Sequence, residues 1–207
     1  MYKNCVKPLL DFVCAIILLV VLSPLLLVSL LITAIYLREN PFFVHPRPGL
    51  NEKIIKVIKL KTMRPEISHT GRVLGNLERI TPVGRFFRQT SIDEIPQLLN
   101  VLKGELSMVG PRPLQVWYLP HYTAEQRIRH QVRPGITGLA QVMGRNRLSW
   151  DEKFEFDRLY VEKISFRTDF NILFKTVIYI FKTRDVYSGD SDTMEAFVKN
   201  PLHKDIE

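Results

Sequence analysis

Two adjacent carboxylates and one arginine between prolines stand close together in residues 90–113. Asp93 and Glu94 open a short helical pattern, for which Ser91 is the candidate N-cap, and Arg112 follows the end of that pattern. A helix N-terminus favours negative charge, so this position predicts a lowered pKa for both acids and ionised side chains near neutral pH. Ionised carboxylates of this kind could bind a metal ion or attack an electrophile.

The same residues also allow a purely structural interpretation. Ser91 and Glu94 match the S-x-x-E capping box, in which the glutamate bonds to the backbone and has no chemical role. The segment around Arg112 favours function, because Pro111 and Pro113 restrict the backbone on both sides of the guanidinium. A rigid guanidinium suits bidentate recognition of a phosphate, to which the two acids could bring Mg²⁺ or Mn²⁺.

Residues 91–113, SIDEIPQLLNVLKGELSMVGPRP, resemble the core motif of the bacterial sugar transferases, the monotopic phosphoglycosyl transferases. Further segments match the family in the same order, namely residues 59–64 (KLKTMR), 84–88 (GRFFR), 133–139 (RPGITGL) and 168–173 (TDFNIL). The resemblance begins at the apolar N-terminal segment and covers most of the chain.

Members of this family move a phosphosugar from a nucleotide diphosphate sugar to a polyprenol phosphate. The resemblance implies that Asp93 is the nucleophile, that a covalent aspartyl-phosphosugar forms, and that UMP leaves when the donor is a UDP-sugar. Glu94 stays open as a metal ligand or base. The chain is most similar to members of bacterial protein N-glycosylation, which transfer phospho-N,N'-diacetylbacillosamine to undecaprenyl phosphate. Ala140 and Leu114 stand where many relatives carry Trp and Glu, and these departures concern the sugar.

Five basic residues join Arg112 as candidates for substrate binding. Lys59 and Arg64 are assigned because they match the family motif. Arg88 precedes the acids on a predicted helix, where it could be their charge partner or form a surface ion pair. Arg133 and Arg145 bound a glycine-rich loop of the kind that lets a backbone approach a phosphate closely.

An apolar segment at residues 12–37 extends over about 25 residues, enough at ~1.5 Å per residue to cross a bilayer. Ser23 and Pro24 lie near its middle, where proline removes a backbone hydrogen bond and serine can satisfy the carbonyl left over. Basic residues flank both ends, which favours a re-entrant hairpin over a proline-kinked single span. The resemblance implies the same membrane mode. We therefore expect a membrane anchor in residues 1–40 and a catalytic domain in residues 41–207, at the cytoplasmic face of the bacterial inner membrane.

The formal net charge of +8 calls for anionic partners. Nucleic acid is not favoured, because the sequence has no zinc-ligand spacing, RNP motif or heptad-linked basic region. Anionic membrane lipid and phosphate-bearing substrates account for the excess charge. A membrane-tethered module that binds an anionic polymer and a scaffolding subunit of a glycan pathway remain as alternatives. Only the transferase explains the acids and the anchor together, and its product would pass to downstream glycosyltransferases.

The chain is predicted to form a small α+β domain, mostly helical, with few strands, interfacial helices and no dinucleotide-binding fingerprint. Pro96 suits the first turn of the helix that the acids open, and Gly104 suits its C-terminus. The other predicted elements are strands at 42–44 and 53–61, a helix capped by Thr81 ahead of Pro82, helices opened by the capping boxes Thr123–Gln126 and Ser149–Glu152, and a last helix at 168–183.

Overall fold

The computed structural model describes residues 1–65, 75–182 and Phe197. The helices are α1 (Lys7–Leu37), α2 (Asn76–Arg79), α3 (Pro82–Gln89), α4 (Gln97–Leu102), α5 (Ala124–Arg127), α6 (Leu139–Met143), α7 (Trp150–Glu162) and α8 (Phe166–Lys182). The strands are β1 (Phe42–Pro48), β2 (Ile54–Leu60), β3 (Ser107–Val109) and β4 (Gly135–Thr137). A π-helical turn at Tyr2–Val6 precedes α1, and 3₁₀ turns lie at Leu50–Glu52, Ile92–Glu94, Val116–His121, Ile128–Gln131 and Arg145–Arg147. The described chain is therefore α+β and mostly helical, as predicted.

Local sequence signals account for several of these boundaries. The Thr81 hydroxyl accepts a hydrogen bond from the Gly84 backbone N–H at 2.8 Å, so α3 begins directly after the predicted cap. The two predicted capping boxes, ahead of α5 and α7, are also formed. Gly104 follows α4 with φ of 70°, a left-handed conformation that glycine adopts at the least cost.

The four strands form two separate pairs. β1 and β2 run antiparallel, from Phe42 opposite Leu60 to Pro48 opposite Ile54, while β3 and β4 run parallel. Ile55 and Val57, two positions apart in β2, are buried in the core, so one face of this ladder covers it. The predicted strands at 42–44 and 53–61 are confirmed, and the first is longer than expected.

The parallel pair depends on glycines. A Cβ atom on Gly135 would lie 2.1 Å from the Gly110 backbone nitrogen, and one on Gly138 would lie 2.3 Å from the Gly110 oxygen. These glycines let the backbone around β4 contact the backbone at Gly110. Helix α6 begins directly after Gly138. The prediction of a loop between Arg133 and Arg145 is therefore wrong, because this segment is a strand and a helix whose glycines serve chain packing.

α1 is one continuous helix of 31 residues with Pro24 inside it. Proline lacks the N–H that would bond to the carbonyl of Val20, four residues earlier. The Ser23 hydroxyl donates to that carbonyl at 2.8 Å, which confirms the role predicted for serine in this pair. In length and apolarity, the helical stretch Tyr2–Leu37 is sufficient to be embedded in a membrane.

Both halves of α1 pack against the same globular domain. Ala15 in the first half is fully buried in a core cluster with Leu98 of α4. Leu30 in the second half packs against a second cluster that contains Phe87 of α3, and Thr33 of the same half is buried as well. The opposite face of α1 is exposed and apolar along its length, as shown by Leu9, Phe12, Val13, Ile16, Ile17, Val20, Val21, Leu27, Val28, Leu31 and Ile35.

Candidate active site

The two acids lie in a tight turn between α3 and α4. Ser91 adopts a left-handed conformation with φ of 56° and makes no capping hydrogen bond through its side chain, so it is not the predicted N-cap. Ile92–Glu94 form the 3₁₀ turn, and Pro96 occupies the position before α4. The acids therefore precede α4. The helical pattern had placed them in its first turn, and that prediction is wrong.

Glu94 forms ion pairs with two basic side chains from distant parts of the sequence. Its Oε1 accepts hydrogen bonds from Lys59 Nζ of β2 at 2.6 Å and from Arg112 Nη2 at 3.0 Å. The capping-box interpretation of Glu94 is therefore wrong. Burial alone would raise the pKa of Glu94, but the Lys59 and Arg112 cations together hold it far below its usual value. Glu94 is ionised at neutral pH, because of these cations and not because of a helix dipole.

Asp93 lies in the same turn in a different environment. Its residue surface is only 7 % exposed, and within the described chain no hydrogen-bond donor contacts its carboxylate. Burial, followed by repulsion from Glu94, raises the pKa of Asp93 to about 6, and nearby Lys59, Arg88 and Arg112 offset only part of this effect. The predicted lowering of this pKa is therefore wrong for Asp93, because desolvation outweighs the neighbouring cations.

The predicted basic residues divide into those the structure brings to the acids and those it does not. Arg88 lies near Asp93 and donates from Nε to the Thr62 hydroxyl at 2.9 Å. Arg64 is exposed, and its backbone N–H and carbonyl form hydrogen bonds with Arg79. Arg133 lines a pocket at the start of α1. The side chain of Arg145 lies outside the described part of the structure.

The backbone around Arg112 is held by a buried ion pair that the sequence did not reveal. Arg129 donates from Nη2 to the Arg112 carbonyl at 2.7 Å and pairs with Asp157 of α7 at 2.9 Å. The Arg129 guanidinium also lies 5.8 Å from the ring centroid of Tyr122 and 5.5 Å from that of Phe154. Together with the prolines on either side, including partly buried Pro113, this cluster fixes the Arg112 backbone while the Arg112 side chain stays 47 % exposed.

Arg47 of β1 is a second basic residue that sequence analysis missed. It is partly buried and has no hydrogen bond or ion pair with another described residue. Burial and the charge of Arg112 lower the pKa of Arg47 to about 10, so two guanidinium groups approach each other here. Two neighbouring cations of this kind favour an anion between them. Alternation along β1 was the only available signal for Arg47, and it does not distinguish a functional arginine from a solvated one.

A buried polar network connects the start of α1 to the strand that leads to Arg112. Asp11 accepts hydrogen bonds from the Ser107 hydroxyl at 2.6 Å and from the Met108 backbone N–H at 3.2 Å. Lys7 pairs with Asp169 of α8 at 2.8 Å. These residues belong to α1, to β3 and to α8, so α1 is bonded to the strand that leads to Arg112.

The arrangement suits a nucleophile that attacks phosphorus. Asp93 offers a carboxylate that no described residue hydrogen-bonds, beside a second carboxylate that is bound to two cations. The basic side chains of Lys59, Arg88 and Arg112 could offset the charge of a phosphate brought to Asp93. Carboxylate oxygens are also the ligands that Mg²⁺ prefers.

Comparison with known proteins agrees with this chemistry. The chain is 44 % identical over 191 residues to an uncharacterized sugar transferase, EpsL, of Bacillus subtilis, an alignment that covers 92 % of this chain and 95 % of the relative. It is 36 % identical over 194 residues to the UDP-glucose:undecaprenyl-phosphate glucose-1-phosphate transferase of Caulobacter vibrioides, covering 87 % of this chain and 72 % of that protein. It is 35 % identical over 204 residues to the undecaprenyl-phosphate galactose phosphotransferase of Salmonella typhimurium, covering 86 % of this chain and 40 % of that protein.

The family profile described as bacterial sugar transferase matches residues 2–183, which include α1, the acids and Arg112. The match thus covers both α1 and the site. The chain belongs to the bacterial sugar transferase family and is a sugar-1-phosphate transferase.

Proposed function

We propose that this protein transfers a sugar phosphate from a UDP-sugar to undecaprenyl phosphate and releases UMP, at the cytoplasmic face of the bacterial inner membrane. The names of the Caulobacter and Salmonella relatives support the lipid acceptor, and the former supports the UDP-sugar donor. One observation carries the proposal. Asp93 is a buried carboxylate that receives no hydrogen bond from the described residues, although basic side chains surround it.

The reaction proceeds in two displacements at one phosphorus atom. In the first, an Asp93 carboxylate oxygen attacks the phosphorus that carries the sugar, and the bond from that phosphorus to the bridging oxygen breaks, so its electron pair leaves with UMP. In the second, a phosphate oxygen of undecaprenyl phosphate attacks the same phosphorus, and the Asp93 carboxylate is regenerated. In a direct transfer, the undecaprenyl phosphate anion would have to approach the charged diphosphate of the donor. The aspartyl adduct carries a single phosphate, so the repulsion between the two anions is smaller.

The basic residues offset charge during both displacements. Arg112 is the most exposed of the cations bound to Glu94, so its guanidinium is accessible to a substrate phosphate. Lys59 is more buried and remains paired with Glu94 at 2.6 Å. Glu94 thereby positions two cations next to the nucleophile and need not move a proton. The second guanidinium, Arg47, extends the same positive region.

The donor set fits a divalent cation. Asp93 supplies two carboxylate oxygens, and Glu94 supplies Oε2, which receives no hydrogen bond from the described chain. Mg²⁺ is commonly held by one or two carboxylates together with substrate phosphate oxygens and water, and Mn²⁺ accepts the same ligands. When bound, the ion would neutralise charge on the diphosphate.

Removal of divalent cations is therefore expected to stop the reaction. After exhaustive treatment with EDTA, UMP release by the purified enzyme should fall on the order of 10²-fold or more, because the diphosphate charge is no longer neutralised. Addition of excess Mg²⁺ or Mn²⁺ should restore the rate. EDTA that is already saturated with Ca²⁺ does not remove Mg²⁺ from the enzyme, so it controls for other effects of the chelator. Full activity after chelation would rule out the metal.

We assign phospho-N,N'-diacetylbacillosamine as the sugar phosphate. The motif similarity given above supports it, and the glucose and galactose named for the relatives are the competing donors. Ala140 of α6 and Leu114 beside Pro113 are the departures to consider first, because they lie in motifs that flank the site. Comparison of UDP-N,N'-diacetylbacillosamine, UDP-glucose and UDP-galactose as donors decides among the three.

We further propose that α1 is re-entrant and that both of its ends lie on the cytoplasmic side. Asp11 near one end bonds to β3, and Leu30 toward the other packs on the cluster with Phe87. These positions are separated along the helix by roughly 28 Å at ~1.5 Å per residue, which is close to the thickness of the hydrocarbon core. A straight span would carry one of these contacts across the bilayer, away from the domain that holds the other.

Cysteine labelling tests this topology. In a background with Cys5→Ser and Cys14→Ser, single cysteines at Asn4 and Asn40 are expected to resist an impermeant maleimide in intact cells and to react after the membrane is opened. The reason is that both ends contact one domain on one side of the membrane. Labelling of either end from outside would refute the re-entrant arrangement.

Nucleoside monophosphate exchange tests the function and the covalent step together. Purified enzyme with UDP-sugar and undecaprenyl phosphate should release UMP and form an undecaprenyl diphosphate sugar. Without the acceptor, labelled UMP should exchange into the donor, because the first displacement is reversible. Transfer without exchange would instead indicate direct attack in a ternary complex.

A further inference from the structure

A cavity of about 350 Å³ lies at the start of the membrane helix. It is bounded by the π-helical turn and the first turns of α1, the turn between β1 and β2, the first residue of β3, the segment before β4 and the connection between α7 and α8. Its lining residues are Lys3, Asn4, Lys7, Pro8, Asp11, Leu50, Asn51, Ser107, Gln131, Val132, Arg133 and Ile164. None of these is Lys59, Asp93, Glu94 or Arg112, so the cavity is separate from the acids and their ion pairs.

Two of the cations in this cavity have no counter-ion in the described chain. Lys7 is compensated, since it lies 2.8 Å from Asp169 and 3.6 Å from Asp11. Arg133 is partly buried but forms no hydrogen bond or ion pair with a described residue, and the same holds for exposed Lys3. A guanidinium that is partly removed from water and lacks an acid partner favours an anion.

The cavity also borders the apolar surface that we assign to the membrane. Pro8 lines it, and the next residue, Leu9, exposes 64 % of its surface on the outer face of α1. On the other side, Ile164 precedes α8, whose Phe166 is exposed and packs edge-on against Tyr2 at 6.3 Å between ring centroids. A ligand in this cavity would thus have basic groups at one end and apolar surface beside it.

We propose that this cavity binds the phosphate headgroup of an anionic phospholipid, with Arg133 and Lys3 contacting the phosphate and the acyl chains lying along α1. Phosphate presents the oxygens that a guanidinium fork and an ammonium group recognise. The amide side chains of Asn4 and Asn51 can donate to the polar part of the headgroup. This assignment moves Arg133 away from the substrate phosphate, which the glycine-rich segment had suggested as its partner.

Lipid titration followed by native mass spectrometry tests the site in the full-length protein. We compare phosphatidylglycerol with phosphatidylcholine on the wild type and on the double variant Lys3→Gln/Arg133→Gln. The wild type is expected to bind phosphatidylglycerol more tightly than phosphatidylcholine. The double variant should bind it roughly 30-fold more weakly, since each basic side chain near anionic lipid contributes a factor of about five.

The control removes the same charge elsewhere. Lys56→Gln/Lys175→Gln takes two exposed lysines from outside the cavity and should leave the preference for phosphatidylglycerol intact. Arg133→Lys retains a positive charge and should keep part of the binding that the double variant loses. Thermal unfolding without added lipid shows whether each variant is folded before its binding is compared.

Three results would overturn the proposal. One is that the folded double variant binds phosphatidylglycerol as tightly as the wild type does. Another is inorganic phosphate binding as tightly as the lipid, which would identify a site for a soluble anion. The third is loss of UDP binding by the double variant with lipid binding retained, which would return Arg133 to the donor site.

Discussion

Asp93→Asn is expected to reduce sugar-phosphate transfer on the order of 10⁴-fold or more, because removal of a covalent nucleophile eliminates the reaction path itself. The amide has almost the same volume as the carboxylate, and Asp93 has no donor in the described chain to lose. Folding should therefore be maintained, as judged by thermal unfolding in detergent. UMP release and labelled UMP exchange should disappear together.

Asp151→Asn is a matched control for this change. Asp151 is an exposed acid in the first turn of α7, so the same chemical substitution there should leave the rate within about twofold, as for most surface changes. If Asp93→Asn kept more than a tenth of wild-type transfer, Asp93 would not be the nucleophile. Exchange retained in Asp93→Asn but lost in Glu94→Gln would transfer that role to Glu94.

The raised pKa of Asp93 also predicts the pH dependence of the first step. A nucleophilic carboxylate must be deprotonated, so kcat/KM should rise with pH and level off above an inflection near the pKa of about 6. Glu94→Gln should move this inflection to lower pH, because it removes the repelling charge and leaves Lys59 and Arg112 to attract the Asp93 anion. An inflection that stayed in place, or moved upward, would contradict this account of the pair.

The second large effect is expected at Asp157, far from the acids in sequence. Asp157→Asn leaves the buried Arg129 guanidinium without its charge partner at 2.9 Å. Breaking a buried ion pair from one side costs about 3–5 kcal/mol of the free energy of unfolding, which corresponds to a fall in Tm of roughly 10 °C for a chain of this size. Thermal unfolding in detergent measures this loss, and the exposed Asp151→Asn should change Tm little.

Asp157→Asn should also affect substrate binding, because Arg129 holds the carbonyl of Arg112 at 2.7 Å. The Arg112 guanidinium would be less well oriented, so KM for the donor should increase more than kcat falls. A variant that loses stability but keeps KM at the temperature of the assay would show that Arg129 and Asp157 serve folding alone.

The features that could be predicted from sequence are those set by neighbouring residues. Thr81 ahead of a proline, and Ser149 three residues before Glu152, predicted helix starts that the structure confirms. The Ser91 and Glu94 pair shows the limit of such patterns, because it has the same spacing and forms no capping box. What decides the role of Glu94 is Lys59, 35 positions away, which only the folded chain brings within 2.6 Å.

The pKa values of the site could not be predicted from the sequence for the same reason. A helix dipole is a local property, but the pKa of Asp93 is raised mainly by burial, which depends on everything packed around it. The ion pair of Arg129 and Asp157 and the position of Arg47 likewise follow from contacts between distant elements. The resemblance of several motifs to one family did predict the acids and Arg112 as a group, and the contacts of Glu94 agree with it.

The bonds from Asp11 to β3 have a consequence for attempts to make this enzyme soluble. Deleting α1 would leave the Met108 N–H without its acceptor and the Ser107 hydroxyl with the Val109 carbonyl alone, and would uncover the cluster around Leu98. Exchanging α1 for an unrelated hydrophobic helix would restore a tether but not these bonds. Helix α1 is thus an integral part of the folded chain, and it cannot be treated as a separate module to be removed or swapped.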